Sequence, residues 1–159
     1  MSFVQLAEAK IHLRVDGTDE DDLIGIYINA AEKMAVSLLD RGVYADGTAL
    51  GVAKAAAPGE LDTAIAAYES AIAAAEALAD ETAIAAAIQT AGNGLLRAKV
   101  AYRQAMDGMV VNEAINAAVL LIVGHLYVNR EDVVAVAGVS VAQMPNGAEW
   151  LLAPYKVYA

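Results

Sequence analysis

Apolar residues recur with helical spacing over most of the chain. Leu6, Ala9 and Leu13 stand at i, i+3 and i+7 and predict a first helix over 5–13. It should stop at Val15, Asp16 and Gly17, where Gly17 suits a left-handed cap. A second helix is expected to open on Thr18, Asp19, Glu20, Asp21 and Asp22, whose acids sit at the positive end of the helix dipole, with Thr18 or Asp19 capping free amides. Leu23, Tyr27, Ala30, Met34 and Leu38 form one face of it, and Ile24, Ile28, Ala31, Ala35 and Leu39 widen that face. So broad a stripe predicts burial on two sides, against neighbouring helices or a second subunit. The expected end is near Arg41 and Gly42.

Residues 43–59 read as a loop, with turn signals at Asp46-Gly47, Gly51 and Pro58-Gly59. An alanine-rich helical region follows. Leu61, Ile65, Tyr68, Ile72, Ala75 and Ala79 alternate steps of four and three, the seam of a coiled coil. Ile84, Ile88, Ala91, Leu95, Ala98, Tyr102 and Ala105 keep the rhythm after a step of five. The phase break predicts an antiparallel hairpin turning at 80–82 or at Gly92-Asn93-Gly94, with the glycine turn preferred. Asn112 should cap a very apolar core helix from Glu113 to about Asn129, carrying Ile115, Val119, Ile122, Val123, Leu126 and Tyr127. Residues 133–142 are β-branched and read as a short strand or extended arm. Pro145, Asn146 and Gly147 mark a turn, and Ala148 to Leu152 a last helical turn. The expected fold is all-α: a small helical bundle with an alanine-rich antiparallel hairpin (59–107) inserted in the middle and an extended C-terminal arm, the whole of 1–159 forming one domain.

Composition sharpens this picture. Of 159 residues, 37 are alanine, and 19 of those fall between 51 and 100. The chain is 58% hydrophobic but only 6% aromatic, so much of its apolar content favours helix more than a large core. Ten Lys and Arg against 20 Asp and Glu give a net charge of −10, which argues against a phosphate-gripping nucleic-acid binder. With no cysteine there is no disulfide scaffold, Cys-ligated zinc or thiol nucleophile. A mean hydropathy of +0.46 argues against disorder. The longest apolar stretch, 114–129, holds Asn116, Gly124 and His125 and is short for a membrane span, which needs about 20 residues. The N-terminus lacks signal-peptide character, so a soluble intracellular protein is expected.

Candidate chemistry is sparse. The run Asp19 to Asp22 could suggest a metal site, but consecutive helical acids point in different directions, and a charged first turn explains them better. No Glu-Glu-x-x-Glu pattern of the kind used by all-α nucleotide pyrophosphohydrolases is present. His12 and His125 are the sole imidazoles, and neither lies near a Gly-x-Ser-x-Gly nucleophile. His125 reads as a hydrogen-bonded core or interface residue, and His12 as a surface residue. Gly92 and Gly94 lack the Gly-Lys-Ser/Thr of a phosphate loop. No catalytic, cofactor-binding or metal-binding residues are assigned. Trp150, Leu151, Leu152, Tyr155 and Tyr158 instead gather aromatics at the chain end, where they either close over the core or dock on a partner.

Three stretches together carry a resemblance. They are Leu6 to Asp16 followed by Asp19 to Ile24; Ala117 to Glu131, with its His125-Leu126-Tyr127-Val128-Asn129-Arg130-Glu131 core; and Leu151 to Tyr158. In this order they resemble the head–tail connector (adaptor) proteins of long-tailed phages and prophages, sometimes labelled DNA-packaging proteins. The resemblance covers about 4–45 and 109–158 and leaves out the alanine-rich middle. It implies a structural virion protein, not an enzyme. Its subunits would form a ring, twelvefold in the virion, beneath the portal at the head–tail junction, after assembly in the host cytoplasm. The partners implied are copies of itself, the portal protein and the next connector, stopper or tail protein. DNA would pass without specific binding, and no membrane is involved. His125, Tyr127, Asn129, Arg130 and Glu131 match the core motif, where subunit packing and a buried polar network are expected. Trp150, Leu151, Leu152, Tyr155 and Tyr158 match the C-terminal segment, expected to meet the portal or a neighbouring subunit. Deleting 149–159 should then leave a folded protein unable to join capsids. The alternative readings are a helical dimerisation or regulatory module using the hairpin and, behind it, an all-α hydrolase.

Overall fold

The computed structural model describes residues 2–129 and 146–158. The expected strand or arm at 133–142 therefore lies outside the described residues. Elements follow in the order α1 (Leu6–Leu13), α2 (Asp21–Leu39), β1 (Val43–Tyr44), α3 (Gly47–Glu76), α4 (Glu81–Met106), β2 (Met109–Val110), α5 (Glu113–Val128) and α6 (Asn146–Leu152), then a 3-10 turn at Ala153–Tyr155. The fold is predominantly all-α. It divides into two compact units: 1–46 with 109–159, and 47–108.

The first unit is built on α2 and α5. Ile24, Ile28, Ala31, Ala35 and Leu39 of α2 are buried together with Ile115, Ala118, Val119, Ile122 and Val123 of α5. Only the second of the two α2 series is fully buried. The Leu23–Tyr27–Ala30–Met34–Leu38 series is half-covered, and Met34 is exposed. The expected Asn112 cap is present, its side chain accepting from the Ile115 amide at 3.0 Å. Helix α1 is joined to α2 by an ion pair, Lys10 Nζ to Asp21 Oδ1 at 2.5 Å. Glu32, buried inside α2, binds the chain start. Its Oε1 accepts from the Ser2 hydroxyl at 2.7 Å and the amides of Phe3 at 2.9 Å and Val4 at 3.0 Å.

The helix ends differ from expectation. Arg14, not Gly17, takes the left-handed conformation after α1, with φ 58°. Its amide and that of Val15 bond back to Ile11 and Lys10, which closes the helix before the glycine is reached. Helix α2 starts at Asp21 behind Glu20, with no side-chain cap from Thr18 or Asp19. It ends at Leu39, where Asp40 is left-handed (φ 51°), slightly before Arg41 and Gly42. At Gly42 a side chain would meet the Tyr44 ring at 2.8 Å, so a glycine lets the ring lie against the backbone. Strands β1 and β2 pair in parallel, Val43 with Met109 and Tyr44 with Val110. From Asn146 to Tyr155 the chain is helical and not extended.

The second unit is a helical hairpin, and it corrects two expectations. Residues 47–59 are not loop: α3 starts at Gly47 and runs through Pro58 and Gly59. The alanines at 53 and 55–57 are the best helix formers, and Ala57 is buried just before the proline. Together they hold the helix across one missing amide donor. The turn lies at 77–80 and not at Gly92-Asn93-Gly94, which is inside α4. Asp80 decides this, because its carboxylate accepts from the Ala83 amide at 3.0 Å and starts a new helix. The connection of four residues makes the helices antiparallel neighbours. The α4 seam at Ile84, Ala91, Leu95, Ala98, Tyr102 and Ala105 is half-buried as the spacing requires. Ile65 and Ile88 fall just off the seams and are exposed, while Ala64 and Ala87 take the inner positions.

Two outcomes test these contacts. Glu32→Ala would leave the amides of Phe3 and Val4 without their acceptor, while the Ser2 hydroxyl keeps the Val4 carbonyl, and should cost about 2–3 kcal/mol in chemical denaturation. Gly94→Ala meets no atom within 4 Å. It should therefore raise the helix stability of the arm by about 0.5–1 kcal/mol in thermal circular dichroism, whereas at a glycine turn it would lower it.

Candidate functional site

The end of α5 and the C-terminal segment, both in the first unit, hold most of the residues singled out by sequence, but they lie apart: the first is tied to the start of α2 and the second to its end. His125 is half-buried and hydrogen-bonded locally. Its Nδ1 lies 3.1 Å from Asn129 Nδ2, and Asn129 closes α5 by donating its backbone and side-chain N–H to the His125 carbonyl at 3.0 and 2.9 Å. Tyr127 donates its hydroxyl to Glu20 Oε2, which joins α5 to the start of α2. These three side chains thus fasten helix ends within the subunit. Arg130 and Glu131 lie outside the described residues.

The C-terminal aromatics and leucines divide between two roles. Leu152 is buried and Leu151 and Tyr155 pack against the same core, whereas Trp150 is 78% exposed and Tyr158 79% exposed. Two bonds tie the segment to the end of α2: the Val157 amide to the Leu39 carbonyl at 3.0 Å and Arg41 Nη1 to the Tyr155 carbonyl at 3.3 Å. A groove lined by Leu38, Glu149, Leu152, Ala153, Lys156 and Tyr158 runs beside it. It adjoins a shallow apolar hollow at Lys33, Met34, Ser37 and Leu38. The half-covered face of α2 and the outward Tyr158 therefore share Leu38 as a common wall. Deletion of 149–159 would remove Leu152 and both ties, so it would damage the core as well as the surface.

The acidic run has structural employment. Asp21 pairs with Lys10 and Glu20 accepts from Tyr127, while Asp19 and Asp22 are exposed. No three His, Cys, Asp or Glu side chains are grouped to hold a metal among the described residues. Nor is any described helix long and apolar enough to cross a membrane. One relation was not read from sequence: His12 is exposed but lies over α5, where a side chain on Gly124 would meet its Nε2 at 3.3 Å. A glycine in the most apolar helix was the available signal.

The fold defines a predominantly all-α protein. Residues 3–71 match the family model described as phage gp6-like head-tail connector protein. The match spans less than half of the chain, and over that part the chain is similar to head–tail connector proteins. It runs from the chain start through α1, α2 and β1 into α3, further than the stretch 4–45 in which the resemblance was first read. No curated protein and no solved structure matches the chain.

The division of the C-terminal side chains can be measured. Leu152→Ala should cost about 2–5 kcal/mol by leaving a cavity. Trp150→Ala should change stability by less than about 0.5 kcal/mol, as expected for a surface substitution.

Proposed function

We propose that the chain is a head–tail connector subunit that forms a ring beneath the portal, lengthens the DNA channel and joins the capsid to the tail. The family match over 3–71 carries this reading. Three features of the chain support it. The Met34–Leu38 side of α2 with Tyr158 beside it, and the exposed Trp150, offer apolar surface that a subunit or portal contact could cover. The five side chains at 125, 127, 129, 130 and 131 stand in the core motif of the resemblance, and those at 150–152, 155 and 158 in its C-terminal segment. The net charge of −10 suits a channel wall past which DNA slides without being held. Portal, connector and tail proteins are the partners of this reading, and the head–tail junction is its location. No catalytic role is assigned.

The test is the double variant Trp150→Ala, Tyr158→Ala in the phage, which spares Leu152. Expected are a normally folded protein by circular dichroism and filled heads that lack tails in electron micrographs. Normal tailed particles would remove the docking role from this segment. A ring whose channel wall is neutral or basic would remove the charge argument.

A further inference from the structure

One face of α4 is largely uncovered, apolar on both sides of Gly92 and carrying an acid at one end and bases at the other. Glu81, Ile88, Gly92, Leu96, Lys99 and Arg103 share that face, about 100° around the helix from the seam toward α3. Ile88 and Leu96 stand four residues either side of Gly92, and Glu81 and Arg103 eleven either side. Ile88 is 40% and Leu96 61% exposed. Glu81 and Lys99 are exposed too, while Arg103 is half-buried and has an interaction within its own chain. A side chain at Gly92 would meet nothing within 4 Å, so packing inside the chain does not require glycine there. A glycine inside a helix costs about 1 kcal/mol relative to alanine.

We propose that α4 pairs antiparallel with α4 of a second copy of this chain, with Gly92 at the twofold crossing. In that register Ile88 of each copy packs on Leu96 of the other. Glu81 comes opposite Arg103 and within one helical turn of Lys99, so an acidic end meets a basic end twice. Charge complementarity picks this orientation. A parallel pair would place Glu81 beside Glu81 and Lys99 beside Lys99. It also picks the occupant, because a face with an acid at one end and bases at the other is complementary to its own copy under a twofold axis. Gly92 lets the two backbones approach closely at the crossing. Such a twofold cannot relate neighbours within a cyclic ring, so the contact belongs to the unassembled chain. The pairing itself stands on α4 alone; only its assignment to the unassembled chain rests on the connector reading.

The purified full-length chain provides the test, by sedimentation velocity over a concentration series. A dimer is expected, and Leu96→Glu should weaken it at least about tenfold. Gly92→Leu should do the same while helicity and melting temperature hold or rise, which separates a blocked crossing from misfolding. Because the chain has no cysteine, Gly92→Cys gives a clean cross-linking probe. Oxidation should yield a disulfide-linked species of twice the 16.5 kDa chain mass. Val52→Cys, on an exposed part of α3, should not. Reversing one charge, Glu81→Lys, should weaken the dimer, and adding Lys99→Glu should restore it. A chain that stays monomeric, an oligomer indifferent to the α4 variants, or equal cross-linking at 52 and 92 would each overturn the proposal.

Discussion

The first unit depends on the pairing of α2 with α5, two helices that more than 70 residues of chain keep apart. Neither is stable alone: α2 carries acids at its start and a row of isoleucine, alanine and leucine on one side, and α5 is apolar nearly all round. Burying Ile24, Ile28 and Leu39 against Ile115, Val119 and Ile122 takes most of the fully buried apolar bulk of the unit out of water. The other elements attach to that pair. Helix α1 is held by the Lys10–Asp21 ion pair and by His12 over Gly124, the chain start by Glu32, and the C-terminal segment by Leu152 and the Val157–Leu39 hydrogen bond.

That distance in sequence explains the short parallel strand pair. The chain leaves the first unit after Tyr44 and returns at Met109, and the amides of Met109 and Val111 donate to the carbonyls of Gly42 and Tyr44. These bonds fix where the chain departs and comes back, independently of what lies between. The cost of closing a long loop grows only slowly with its length, so a hairpin of 62 residues is tolerated once its two ends are held. The hairpin follows different rules. Only Ala57 and Ala75 among its apolar side chains are buried, so its cohesion comes from alanine's helix propensity and many small contacts more than from a core.

Legibility of the sequence followed this division. Where large side chains decide burial, spacing was enough: α1, α2 and α5 and the Asn112 cap were readable, and the buried α2 series coincides with one of the two predicted. Where alanine fills most positions, periodicity does not tell seam from surface: Ile65 and Ile88 keep the four-three spacing of a seam yet are exposed. Pro58 and the Gly92–Gly94 pair misled for a related reason. They are breakers by local propensity, but a long alanine-rich helix packed along its length outweighs one lost hydrogen bond and two flexible residues. The decisive signals at 77–80 were quieter: a step of five in the seam and an aspartate in capping position. In the surface motif, the sequence showed which residues belong together but not which way they face. Leu152 and Trp150 are two positions apart on α6, a turn of about 200°, so one must enter the core if the other leaves it.

Charge divides the molecule in a way the total of −10 conceals. The first unit, with the residues joined to it in sequence, has thirteen acids against six Lys and Arg. The hairpin has seven acids against four, but they are segregated: from Ala55 to Leu96 there are six acids and no Lys or Arg, and Arg97, Lys99 and Arg103 cluster toward the end of α4. An arm acidic at its turn and basic near its ends has a direction. Side-by-side copies pointing the same way would set like charges together, whereas copies pointing opposite ways would pair them. The arm therefore discriminates between arrangements of neighbours before any apolar contact is made. The first unit, with more than twice as many acids as bases, carries most of the negative charge that would repel a polyanion.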